Sequence, residues 1–201
     1  GTMVTDTRET LPDLLRNIRA CRICEDHLPL GPQPVVVAEK SAKILIIGQA
    51  PGTAVHESGV PWDDPSGDRL RDWMNLGKPA FYDPARIAIM PMGFCYPGRL
   101  PKGGDAPPRP ECAPQWHDRL RAQLPEIELT LLVGSYAQNQ YLHDGRAKNM
   151  TGTIRNWRDL DDDCLPTPHP SWRSGIWLKK NPWFEVEILP VLRERVAKLV
   201  G

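Results

Sequence analysis

Apolar residues fall into short continuous runs separated by stretches of helical period. The clearest run is Ile44-Leu45-Ile46-Ile47, closed by Gly48. Four aliphatic residues are too few for a helix and read as a strand buried on both faces. Residues 87–90 and 129–133 repeat the pattern, and 165–167 form a last short run. Between the runs, Leu14, Leu15 and Ile18 share one face of a helix over 11–20. A helix through 68–74 starts at a cap supplied by either Asp64 or Ser66. Further helices are expected over 111–124, with Trp116 and Leu120 inward, and over 135–142. A closing helix over 182–200 should kink at Pro190, and Val35-Val36-Val37 reads as a short edge strand. Strands alternating with helices predict an α/β fold, a three-layer α/β/α sandwich around a short, mainly parallel four-stranded sheet. Neither a repeat nor a boundary interrupts 4–201, so one domain is expected, and Gly1-Thr2 ahead of Met3 reads as an expression scar.

Composition narrows the setting. Lys plus Arg and Asp plus Glu each number 25, so any polyanion-binding surface must be a local patch. No apolar stretch approaches the roughly 18 residues of a membrane span, and no signal peptide is visible, so a cytoplasmic protein without a membrane partner is expected. A monomer is the expectation. The 22 prolines exceed the average usage of about 5% and gather between elements, which implies long shaped loops. The segment 93–110 is the longest of these, and loops of that length are usually functional.

Cysteine placement carries the first chemical signal. Cys21-x2-Cys24 precedes the loop Gly48-Gln49-Ala50-Pro51-Gly52, and Cys95 and Cys112 follow it. Five cysteines without a secretory signal favour a reducing compartment and metal ligation over disulfides. Four thiolates so spaced suit a [4Fe-4S] cluster, are compatible with zinc, and can equally sit reduced and empty. Cys164 is left over and reads as a small buried hydrophobe. The glycine-proline loop follows a strand directly, where open α/β sheets place ligands. Gly48 and Gly52 allow close backbone approach and Pro51 stiffens the turn; an ordinary strand-to-helix turn would look the same.

These elements together resemble the uracil-DNA glycosylase superfamily, most closely its iron–sulfur branch, families 4 and 5. The likeness runs from Cys21 to about Arg193 and joins five elements: Cys21-x2-Cys24, the glycine-proline loop, Ser58-Gly59-Val60-Pro61-Trp62, Cys95-x16-Cys112 and His169-Pro170-Ser171. It implies a DNA repair glycosylase that hydrolyses the N-glycosidic bond of uracil in single- or double-stranded DNA and leaves an abasic site. His169 would donate a hydrogen bond to the departing base, and backbone groups of Gly48, Ala50, Pro51 and Gly52 would contact base and water. Trp62 would stack on the flipped base. Taken alone, His169 reads as a turn residue and Trp62 as core. Ser171, Trp172 and Arg173 would contact DNA, with Trp172, Arg173 or Trp177 as the wedge, and Arg99, Lys102 and Arg109 form a candidate phosphate patch.

The pattern also departs from the family. Gln49 stands where family 4 has glutamate, and Ala50 where family 1 has a water-activating aspartate, so Asp64 and His56 are the leading replacements. Asp64 otherwise reads as a helix cap and His56 as a solvated loop residue. Pro91 stands where members commonly place a base-reading asparagine. That substitution favours a rival in the same fold, a glycosylase for hypoxanthine or xanthine; a rival of a different class is a protein that binds or covalently traps uracil or abasic DNA without turnover. The basic, histidine-ended insertion of the covalent branch is missing from the sequence.

Overall fold

The computed structural model describes residues 9–142 and 147–200, so Gly1 and Thr2 lie outside the described residues. Four strands, β1 (Ile44–Ile47), β2 (Ile87–Ile89), β3 (Leu129–Val133) and β4 (Cys164–Thr167), form one sheet in the order β2-β1-β3-β4. Every pairing is parallel. Side chains alternate across it. Ile44, Ile46 and Leu131 face a core with Trp73, Phe81 and Phe184, whereas Leu45, Ile47 and Leu132 face Leu14, Ile18 and Trp116. The period of two thus buries both faces, and helices cover each, which is the expected three-layer α/β arrangement. Pro166 is tolerated in β4 because that strand lies at the sheet edge.

The helices are α1 (Leu11–Arg19), α2 (Thr53–Ser58), α3 (Pro65–Met74), α4 (Lys78–Phe81), α5 (Asp118–Ala122), α6 (Ser135–Tyr141), α7 (Met150–Arg155), α8 (Gly175–Lys180) and α9 (Leu189–Val200). Asp64 rather than Ser66 caps α3, accepting from the Gly67 N–H at 2.7 Å with Pro65 in the first turn.

Three expectations change. Val35–Val37 is no strand: Val37 alone exchanges hydrogen bonds with Ile89, at 3.1 and 2.7 Å, while the Val35 N–H goes to the Phe94 carbonyl. The helix expected over 111–124 opens as a π-turn, Ala113–His117, and the one over 182–200 as Phe184–Ile188. Pro190 lacks the N–H a regular ladder needs, and the widened turn before it absorbs the loss without breaking the helix, whereas Pro114 stands in a first turn, where no N–H is needed. Helices α2, α4, α7 and α8, of four to six residues, are too short for periodicity to reveal.

Candidate active site

A cavity of about 470 Å³ opens at the carboxyl ends of the strands, where a parallel sheet presents its loop N–H groups. The glycine-proline loop leaves β1 to form one wall, and Gln49, Ala50, Pro51 and Gly52 all line it. His169 stands two residues beyond β4 on the opposite side. Gly134, directly after β3, has φ 87°, a backbone that favours glycine, and lies beside His169: a Cβ there would meet the His169 Cβ at an ordinary contact of 3.7 Å. Met92 and Gly93 donate to the Gly48 and Gln49 carbonyls at 2.8 and 3.0 Å, so the chain after β2 is laid along the loop.

Trp62 spans the space between these walls. Its ring sits 5.8 Å from the His169 ring at 37° and covers Gly48 so closely that a Cβ there would be 2.7 Å from the indole Cζ2. Its backbone is left-handed, φ 60°, which costs a bulky residue of order 1–3 kcal/mol unless neighbours enforce it. Helix α3 does so. Gly67 lets the helix approach the Trp62 carbonyl, which accepts from Arg71 Nη1 at 3.0 Å. Arg71 is only 5% exposed and also reaches Asp68 and the Tyr82 hydroxyl. Two residues earlier, Arg69 donates to the Ser171 carbonyl at 3.1 Å. One helix therefore places both the aromatic platform and the histidine loop, and Ser174 further pins that loop through the His169 carbonyl at 2.5 Å.

Burial drops the His169 pKa to about 4, so near neutral pH it is an uncharged imidazole with one N–H to donate. Asp64 lines the cavity, and burial lifts its carboxyl above the ordinary range while the Gly67 N–H and Arg71 pull it back. Ser171, Trp172 and Arg173 complete the rim. Trp172 is 79% exposed with the Arg173 guanidinium over its ring at 4.9 Å. Trp177, by contrast, packs edge-on against Trp183 and Phe184 and bonds Thr151, which makes it core rather than wedge.

Besides Trp177, the sequence candidates His56, Lys102 and Arg109 are not part of the cavity lining. His56 sits on α2 with its ring toward Tyr96, outside the cavity lining. Arg109 is held by Glu111 and lines the cysteine cleft, which removes it from the phosphate patch. Conversely, Asp105 lines the cavity and was not among the sequence candidates. Its only sequence signal is its place after Gly103-Gly104 in the long loop, a turn signature without indicated direction.

Cys21, Cys24, Cys95 and Cys112 line one small cleft with Leu28, Pro34, Phe94 and Trp116. Burial pushes the thiols of Cys24, Cys95 and Cys112 up to about 11. The Cys24 Sγ donates to Glu111 at 3.2 Å. Among the described residues, no group of three or more His, Cys, Asp or Glu side chains gathers tightly enough for a single ion. Cys164, half-buried at the start of β4, packs on the α1 side of the sheet.

None of the helices described is long and apolar enough to cross a membrane. The family described as the uracil DNA glycosylase superfamily matches residues 34–193, a span that holds the glycine-proline loop, Trp62, α3 and His169. Such a match supports a glycosidase of DNA base excision repair. On that match, covering most of its length, the chain belongs to the uracil DNA glycosylase superfamily.

Proposed function

We propose that the protein excises uracil from DNA by hydrolysing the C1′–N1 bond and leaving an abasic site. The observation that carries this reading is the tilted pair of Trp62 and His169 across the cavity, an aromatic face beside a neutral imidazole donor. A flipped base stacks on the indole. As the C1′–N1 bond stretches, its electron pair moves onto the base, and the His169 N–H meets the charge growing on a base oxygen. Asp64 places a carboxylate on the same wall against the positive charge growing on the sugar. Outside, Trp172 fills the gap left in the stack while Arg99, Lys102 and Arg173 meet phosphates.

The four cysteines hold a [4Fe-4S] cluster in this reading. Four thiols that line one cleft with Leu28, Pro34, Phe94, Trp116 and Arg109 are the donor set such a cluster takes. Held by these four residues, the cluster would cross-link the exit of α1 to the loop after β2. Protein purified anaerobically should be brown with about four irons per chain, and Cys95→Ser should lose the colour. Colourless wild-type protein without iron or labile sulfide would end the cofactor assignment.

Pure protein incubated with an oligonucleotide containing one uracil, then treated with alkali, tests the reaction; an uncut strand rejects it. Pro91 on the cavity wall favours a second reading, because it offers no side-chain amide and His117 occupies its carbonyl at 2.9 Å. Hypoxanthine and xanthine oligonucleotides in the same assay decide between the bases. Trp62→Ala should lower kcat/KM by about 1–3 kcal/mol if the indole is the stacking platform. Unchanged activity per folded molecule with a large drop in Tm would make Trp62 core alone.

A further inference from the structure

The long loop after Cys95 is built rather than loose. Between Gly98 and Ala106 it turns back on itself. The Ala106 N–H bonds the Gly98 carbonyl at 2.8 Å, the Leu100 N–H bonds that of Gly104 at 2.9 Å, and the backbones of Arg99 and Asp105 form an antiparallel β-bridge. Gly98, Gly103 and Gly104 have φ of 101°, 95° and 82°, values at which any side chain is strained. The tip is docked against the segment after His169: a Cβ on Gly103 would lie 3.6 Å from Arg173 Nη2, and one on Gly104 3.7 Å from its Cζ.

This docking aims Asp105. Its Oδ2 lies 3.7 Å from where a Cβ on Gly52 would stand, so the carboxylate sits over the bare backbone of the glycine-proline loop. Gln49 and Ala50 leave that loop without an acid of its own. Among the described residues, no hydrogen bond or ion pair occupies the Asp105 carboxylate, whereas Asp64 has an oxygen committed to the Gly67 N–H. We propose that Asp105 is the carboxylate that holds the attacking water against C1′ of the flipped nucleotide. The assignment rests on the glycosylase reading of this cavity.

The step balances without a further reactant. The C1′–N1 bond breaks and its electron pair leaves with the base. The water oxygen bonds to C1′, and one of its protons passes to the Asp105 carboxylate and then to solvent, from which the base anion takes one back. Burial raises the Asp105 carboxyl above the ordinary range, with Arg99 and Arg173 opposing, which leaves a better proton acceptor than a free surface aspartate. Water held by a group from a separate hairpin also leaves Gly52 free of any side chain that would fill the approach to the sugar.

Two measurements on the full chain test it, each with wild type, Asp105→Asn and Asp105→Ala. One is single-turnover excision from a uracil duplex. The other compares binding of two abasic analogues of like shape, a cationic pyrrolidine and a neutral tetrahydrofuran. Wild type should prefer the cation by about 10- to 100-fold, the scale of a hydrogen bond to a charged group. Asp105→Asn should cut that preference to about threefold or less, the remainder owed to Asp64, keep the tetrahydrofuran affinity, and slow excision by about 10²–10³, as for loss of a general base. A wild type inert on uracil whose cation preference falls in the same way in Asp105→Asn keeps the Asp105 assignment and removes the uracil reading. Preference unchanged in Asp105→Asn, or absent from wild type, overturns the assignment whatever the excision rate.

Discussion

His169→Ala is expected to slow single-turnover excision by about 10²–10³ while leaving affinity for uracil-containing DNA nearly intact. That is the scale for deleting one preorganised donor to a developing anion. The argument is differential. A neutral bound uracil offers the donor little charge, and the departing base offers nearly a full one, so the loss falls on chemistry rather than binding. Local structure supports the split. The His169 carbonyl is held by Ser174 and its ring lies beside that of Trp62, so its donor geometry exists before DNA arrives. With a pKa near 4 it stays neutral through the assay range, and lowering the pH from 8 to 6 should not restore or remove its contribution. A time course with enzyme in excess over a fluorescent uracil oligonucleotide reads the rate. An unchanged rate in His169→Ala would leave the His-Pro-Ser segment as a turn and nothing more.

Gly67→Ala is expected to cost about 3 kcal/mol or more, the upper end for overpacking, and to depress excision per folded molecule. A Cβ at 67 would lie 1.7 Å from the Trp62 carbonyl oxygen and 2.6 Å from its carbonyl carbon. These are backbone atoms of a residue already held at φ 60°, so the strain has no flexible side chain to relax into. Either α3 shifts, and with it Arg69 and Arg71, or Trp62 leaves its place over Gly48. Both routes damage the cavity along with the fold. Gly175→Ala is the control: it is helical and open, with nothing within 4 Å of the added methyl, and should be neutral or mildly stabilising. Urea melts of the three proteins check the pair. Equal midpoints for Gly67→Ala and wild type would show that the platform is not wedged against α3.

The strands were legible because each is a run of aliphatic residues bounded by turn residues, as at Ile44–Ile47 before Gly48. Burial on both faces leaves no choice about which positions are apolar. The order of motifs also carried the family, since five short patterns in sequence over most of the chain jointly constrain what single patterns do not. Asp64 read equally well as cap and as site residue, and the structure makes it both. Short helices escaped notice because four to six residues complete too few turns to display a period.

What remained hidden was direction. Arg71 looks like one exposed charge among many in an amphipathic helix, yet it is buried beneath Trp62 because α3 meets that loop at Gly67. His56 and Asp105 look alike in sequence, each a titratable residue in a polar segment. Hairpin hydrogen bonds and the Arg173 contact turn Asp105 into the cavity, and helix α2 turns His56 away from it. The amino-acid sequence by itself determined the layered sheet, the family, and the set of residues near the strand ends, because hydrophobic period and motif order are local properties of the chain. Only the tertiary structure decided which of those residues share the cavity, because side-chain aim depends on contacts between segments far apart in sequence, here α3 on Trp62 and the 98–106 hairpin on Arg173.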